Sequence, residues 1–177
     1  MTHPSNISVD TILTTKEFSD FLKAAKNFCA FIETQQSDTS KGFLLLTQTQ
    51  LLTLYSLGQN IPVVSLESNT DIDIALSDTE MKALLKTISD RVPFAYYWTV
   101  LNPIDINNSA DIGTGDLVDD LGDIYQDLKQ GLLLFDMPDF GAKENAIWKF
   151  KFDFDYHWRK HCIEALNAIH HYLQDNK

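Results

Sequence analysis

From Thr14 onward the apolar residues recur at helical spacing. Phe18, Phe21, Leu22, Ala25, Phe28, Cys29 and Ile32 keep the i, i+3, i+4, i+7 rhythm of one helix face, and Thr14 with Glu17 forms a capping-box pattern at its start. After the polar stretch 35–40, a second helix is predicted from about Lys41, carrying Phe43 to Leu46, Leu51, Leu52, Leu54, Tyr55 and Leu57 and ending at Gly58 as a C-cap. Leucines surround most of it, which suits a central position. Segment 60–77, with Ile-Pro-Val-Val and Asp-Ile-Asp-Ile framed by polar residues and Asn69, reads as loop. Ser77 and Glu80 repeat the capping-box pattern, and Met81, Leu84, Leu85 and Ile88 define a third helix that Pro93 ends or kinks. The aromatic, β-branched run 94–101 fits either a short helix or an extended packing segment. A fourth long helix spans about Asp116 to Asp136, burying Leu117, Leu121, Ile124, Leu128, Leu132 and Phe135, with Pro138 and Gly141 beyond it.

The last third is harder to read. Residues 149–158 alternate polar with aromatic, the period of a half-buried strand, yet no Gly or Pro interrupts 142–176, and Cys162, Leu166, Ile169 and Leu173 keep helical spacing. One long helix is the better reading, with aromatic residues pointing to several sides.

These elements predict a mainly α fold, a single-domain antiparallel bundle of about five helices over residues 1–177 with an irregular middle segment. Residues 1–13 are expected to be a flexible or loosely packed arm. The composition agrees: 44% hydrophobic and 22% charged residues with few Gly or Pro is globular. A net charge of −11 repels phosphate backbones and anionic headgroups, so nucleic-acid and membrane partners are not expected. No secretion signal and no apolar run of about 18 residues is present, which points to the cytoplasm. Cys29 and Cys162 fall on apolar helix faces, as small hydrophobes rather than a disulfide.

Two constellations carry candidate chemistry. On the fourth helix Asp116, Asp120, Asp123 and Asp127 form one carboxylate stripe beside the apolar face, with Asp119 close by. Such a stripe can hold a divalent cation if a second helix supplies further ligands; its ordinary alternative is a solvated acidic flank. On the fifth helix Asp153, His157 and His161 are spaced i, i+4, i+8 and Glu164 continues that side. Histidines four apart can share a metal, but the zinc-protease base is missing between them, and projection places the stripe roughly opposite Cys162, Leu166 and Ile169, on an exposed polar face. The same projection puts Asp155 and Arg159 with Trp148, Phe152 and Cys162 on the buried side, paired with each other or with Arg159 reaching Asp120, Asp123 or Asp127. No phosphate loop, nucleophile elbow, Cys-x-x-Cys or dinucleotide fingerprint occurs, and no cofactor is expected.

The run Asp119-Asp120-Leu-Gly-Asp123-Ile-Tyr125-Gln-Asp127-Leu-Lys129-Gln-Gly131, followed by Trp148, Phe152, His157-Trp158, His161 and Ala165-Leu166-Asn-Ala-Ile-His170, resembles the bacterial family called domain of unknown function 5063. The resemblance is strongest over 116–173 and implies a small helical fold, favouring helix for 149–158. It implies no reaction, and Arg159 stands where the family often has Gly.

Two functions remain open. One is a small acidic interaction or adaptor protein whose partner binds an aromatic patch (Tyr96, Tyr97, Trp98) rimmed by carboxylates, with Asp119, Asp155, Trp158 and Arg159 as interaction or network residues. The other is a metal-binding protein or metal-dependent hydrolase using Asp120, Asp123, Asp127, His157 and His161 between the last two helices.

Overall fold

Local capping sets most of the helix starts in the computed structural model, which describes residues 8–34, 39–67, 74–107 and 111–176. Ser8 caps the short helix α1 (Val9–Leu13), which closes on Thr14. Thr14 is thereby used up, so Thr15, one residue later than the pattern predicts, caps α2 (Lys16–Glu33) by accepting from the Phe18 N–H at 3.3 Å. The expected loose arm is corrected in the same place: Ile12 is fully buried and draws α1 onto the core, while residues 1–7 lie outside the described residues.

Helix α3 (Ser40–Gly58) runs close to its expected bounds, but Gly58 is its last helical residue and not a left-handed cap. A Cβ there would stand 2.6 Å from the Phe154 ring and 2.9 Å from Trp158, so the glycine serves a close approach between helices. The described parts of 60–77 are irregular and pinned by buried Ile61 and Val64; residues 35–38 and 68–73, including Asn69, lie outside the described set. Helix α4 (Asp78–Ser89) starts at the expected capping box, Ser77 and Glu80 bonding reciprocally. Just after it, the Arg91 guanidinium lies over Phe31 and Phe43 and donates to the Phe31 and Ile32 carbonyls, closing the C-terminal end of α2.

The run left open between helix and extended segment is strand β1 (Tyr96–Val100), paired antiparallel with β2 (Ile112–Asp116) in the register Tyr96↔Asp116, Trp98↔Thr114, Val100↔Ile112. Period-two alternation decides it: Tyr97 turns toward the core while Tyr96 and Trp98 face outward. Gly115 opposite Tyr97 leaves room for the ring, since a Cβ there would come within 2.2 Å of it.

Asp116 then caps α5 (Leu117–Phe135), which packs against α2, α4 and the last helix. That last helix is continuous in three parts: α6 (Phe140–Asp153), a π-helical turn (Phe154–Trp158) and α7 (Arg159–Asp175). One apolar core joins residues from α1 to α7. At Gly131 the α5 backbone lies against the Phe150 ring, where a Cβ would come within 2.3 Å. Cys29 and Cys162 are free and buried, and burial pushes both thiols up to about 12. Among the described residues no helix is long and apolar enough to cross a membrane.

Candidate metal centre between α5 and α7

A π turn holds one more residue than an α turn, so everything after it is rotated by about 100° relative to an uninterrupted helix. In α6 the inward positions are Ala146, Ile147, Phe150 and Asp153; past the turn they become Trp158, Cys162, Ala165 and Ile169. His157, His161 and Glu164 each precede one of these by a single position. They therefore occupy the flank of α7 that faces the carboxylate stripe of α5.

The stripe is intact, because α5 is regular throughout. Its members differ in role and burial. Asp116 caps the helix by accepting from the Val118 and Asp119 N–H groups, and Asp119 is exposed. Asp120 and Asp127 are buried, which corrects the picture of a solvated flank, and Asp123 is half-buried between them. Each buried carboxylate holds one imidazole: Asp127 Oδ2 lies 2.7 Å from His157 Nδ1, and Asp120 Oδ1 lies 2.8 Å from His161 Nδ1. With Nδ1 engaged in this way, both Nε2 atoms turn toward Asp123. Its Oδ2 is 4.0 Å from His157 Nε2 and 3.4 Å from His161 Nε2.

Asp123, His157 and His161 thus offer three ligand atoms lying within 4.8 Å of one another, and Asp120, His161 and Glu164 form an overlapping set with the same spacing. Tyr97, from the hairpin, donates its hydroxyl to Asp120 Oδ2, and so helps hold the carboxylate that orients His161. Sequence reasoning grouped Tyr97 with its exposed neighbours. Strand alternation was the signal that separates it from them.

Protonation in the cluster follows from these contacts. The hydrogen bond that His161 donates to Asp120 is the largest influence on this histidine and raises its pKa above the ordinary imidazole value against the opposing effect of burial. Burial, and then the Asp119 charge, raises Asp123. Tyr97 is held well above the ordinary phenol value by burial and then by its bond to Asp120. Asp153 sits at the edge of the cluster, paired with Lys149 at 2.7 Å; burial, with the Asp127 charge behind it, pushes its carboxyl up to about 6.

The remaining candidates lie elsewhere. Asp155 and Arg159 make the intrahelical pair, at 3.6 Å, but not on the buried side: Arg159 is exposed, and half-buried Asp155 also pairs with Lys151. Arg159 has no ion pair to Asp120, Asp123 or Asp127; the cross-link between the helices is made by the two histidines instead. Trp158 is a core residue, fully buried with its ring 4.8 Å from that of Phe154, and its indole N–H has no hydrogen-bond partner among the described residues.

The fold has a counterpart. The crystal structure of protein BF1032 from Bacteroides fragilis superposes with a TM-score of 0.76 at 19% sequence identity, covering 90% of this chain and 93% of that one. At that identity the likeness shows the fold alone. No curated protein matches the sequence significantly. The family model described as domain of unknown function (DUF5063) matches residues 13–175, and the chain belongs to that family.

Proposed function

We propose that this protein binds one divalent transition-metal ion between α5 and α7, with His157 Nε2, His161 Nε2 and an Asp123 carboxylate oxygen as its ligands. The observation that carries the reading is the pairing of each imidazole Nδ1 with its own buried carboxylate, Asp127 at 2.7 Å and Asp120 at 2.8 Å. Metal-bound histidines are held in this way: the outer carboxylate fixes the tautomer that leaves the Nε2 lone pair free and makes it more basic. Spacing supports it as well. Ligands about 2.1 Å from a tetrahedral ion stand about 3.4 Å apart, and the His161 Nε2 to Asp123 Oδ2 separation is 3.4 Å. The His157 contact, at 4.0 Å, needs a shift of about half an ångström on that scale.

Two imidazoles favour zinc, iron, cobalt or nickel over magnesium or calcium. Three protein ligands leave at least one position for water, which a bound divalent ion acidifies, so metal-dependent hydrolysis is the reaction class the site suits. The buried free thiols fit a reducing compartment, and we place the protein in the bacterial cytoplasm.

Equilibrium dialysis against zinc, with elemental analysis of the untagged protein, tests the proposal. The wild type is expected to retain about one ion per chain and, at a hundredfold excess over Kd, to gain about 2.7 kcal/mol of stability, roughly 6–10 °C in Tm at this size. The His157→Ala/His161→Ala double variant should lose both. Wild-type protein that retains no zinc, iron, cobalt or nickel, or a double variant that keeps full stoichiometry, refutes the site.

A further inference from the structure

Among the described residues nothing covers the outer face of the β1–β2 hairpin. Register places Tyr96, Trp98 and Val100 of β1 on one face with Ile112 and Thr114 of β2, and all are exposed, Trp98 by 75%. Ile104 and Ile106 extend the surface along the connection and are even more open, Ile104 by 89%. A strand needs only one apolar face to fold, and here the inner face already supplies it through Tyr97. Tyr96 and Trp98, each able to bury on the order of 150 Å², remain largely exposed in the isolated chain. An apolar surface of this kind, rimmed by polar groups, marks an interaction site.

Charge says what kind of partner fits. From Val92 to Asp119, a stretch that includes both strands, the chain contains four Asp and no Glu, Lys, Arg or His. Asp111 flanks the hairpin and Asp119 follows it, both exposed. The aromatic face therefore lies in a stretch that carries only negative charge. A second copy of the chain would bring another −11 toward it, and an anionic lipid surface is repelled for the same reason. A cationic segment gains on three counts: steering by the carboxylates, stacking of Lys or Arg on Trp98 and Tyr96, and burial of its own apolar residues on Val100 and Ile112.

We propose that this hairpin face docks a basic segment of another protein in which Lys or Arg alternates with aliphatic residues. This surface is separate from the metal centre, and the proposal stands whether or not a metal binds there.

The probe is a short fluorescent peptide alternating Lys with Leu, followed by anisotropy, alongside its Glu-for-Lys counterpart. The Lys peptide is expected to bind and to weaken with added salt, and the Glu peptide to fail. Trp98→Ser should weaken the Lys peptide about tenfold, as loss of an aromatic anchor does, and Asp111→Lys should weaken it in the same direction. Both positions are exposed, so an unchanged Tm accompanies the expected result. Equal binding of both peptides, or binding indifferent to Trp98→Ser, overturns the proposal. So does a dimer in sedimentation that Trp98→Ser converts to monomer, which assigns the face to a second copy, or capture of the protein by zwitterionic vesicles with no affinity for the Lys peptide.

Discussion

The two outer carboxylates of the proposed metal site are open to a graded test, because they orient their histidines in different surroundings. Asp120 and His161 are the more enclosed pair, with side chains 6% and 20% exposed. Asp127 is 11% exposed, but its partner His157 is 48% exposed. Replacing either Asp by Asn keeps the shape while removing the charge that favours the Nδ1–H tautomer. When the Asn amide presents its NH2 group to Nδ1, the ring proton moves to Nε2, and the lone pair needed by the metal is lost. Loss of such an outer partner weakens metal affinity by about 10–100-fold, or ~1.4–2.7 kcal/mol. Electrostatic contacts are stronger where water is excluded. Asp120→Asn is therefore expected near the upper end of that range and Asp127→Asn near the lower. Asp119→Asn is the charge control, since it removes the same charge from an exposed position of the same helix and acts on Asp123 through its charge rather than by orienting a ring; it should change affinity about twofold at most, as surface charges do. Zinc competition against a chelating dye at pH 8 reads all three, with urea unfolding of the metal-free proteins to verify the fold. The Asp120→Asn loss should shrink toward pH 6. Wild-type His161, whose pKa Asp120 raises, meets proton competition at higher pH than the variant does. If Asp119→Asn costs as much as Asp120→Asn, or if the Asp120 deficit is the same at both pH values, net charge rather than orientation governs the site and the reasoning fails.

Two further outcomes follow from packing and burial. In α5, Gly131→Ala gains about 1 kcal/mol of helix propensity but drives a Cβ to 2.3 Å from the Phe150 ring, which Phe18 and Phe21 hold in place; such overpacking costs about 1–3 kcal/mol. Net destabilisation is expected there, whereas Gly122→Ala meets only the end of the partly exposed Leu85 side chain and should be neutral or stabilising, so equal losses in urea unfolding would discredit the comparison. Asp153 has its folded-state carboxyl pushed up to about 6, so between the ordinary carboxylate value of 3.8 and that point the folded state binds more protons than the unfolded one, and stability falls as pH rises. The gap is worth ~3 kcal/mol at most, and Asp153→Asn should remove a large part of that decline between pH 4 and 7 while leaving stability at pH 4 nearly unchanged; an unaltered profile would locate the proton elsewhere.

The helices were legible because their signals are local. Ser77 and Glu80 need only three residues to form a capping box, and the apolar face of α2 repeats at a period that tertiary contacts do not disturb. What escaped was set at a distance. Thr14 offers the same hydroxyl as Thr15, and the choice between them was made by α1, which is held in place by Ile12 in a core assembled from the whole chain. Run 94–101 became a strand because residues 112–116 were available to pair with it, and Gly115 of that segment, a poor strand former alone, leaves the space into which Tyr97 turns. Gly58 resembles a helix cap in sequence. Phe154 and Trp158, about a hundred positions away, give it its role.

The Asp/His cluster between α5 and α7 shows the same division within one motif. Asp120, Asp123 and Asp127 fall on one side of α5 as the projection requires, since α5 is a regular helix and 100° per residue holds along its length, whereas Asp116 is its N-cap and Asp120 and Asp127 are buried rather than solvated. Applied to 142–176, the same projection fails at one point. It puts Trp148, Phe152, Asp155, Arg159 and Cys162 on one side, yet Phe152 and Arg159 are exposed and Cys162 is buried. The discrepancy is one residue wide and falls in the π turn Phe154–Trp158, which brings both Phe154 and Trp158 onto Gly58. A regular helix continuing from Phe150 and Asp153 would aim His157, His161 and Glu164 straight into the apolar core, where unpaired imidazoles and a carboxylate are costly. The inserted residue moves them one position aside, to the seam where Asp120, Asp123 and Asp127 wait. The polar–aromatic alternation of 149–158 is the trace of this turn: with aromatic rings at every second position, some ring is available to the core on either side of the change in phase. The π turn is thus the element that converts a surface stripe of histidines into partners for the buried carboxylates of α5.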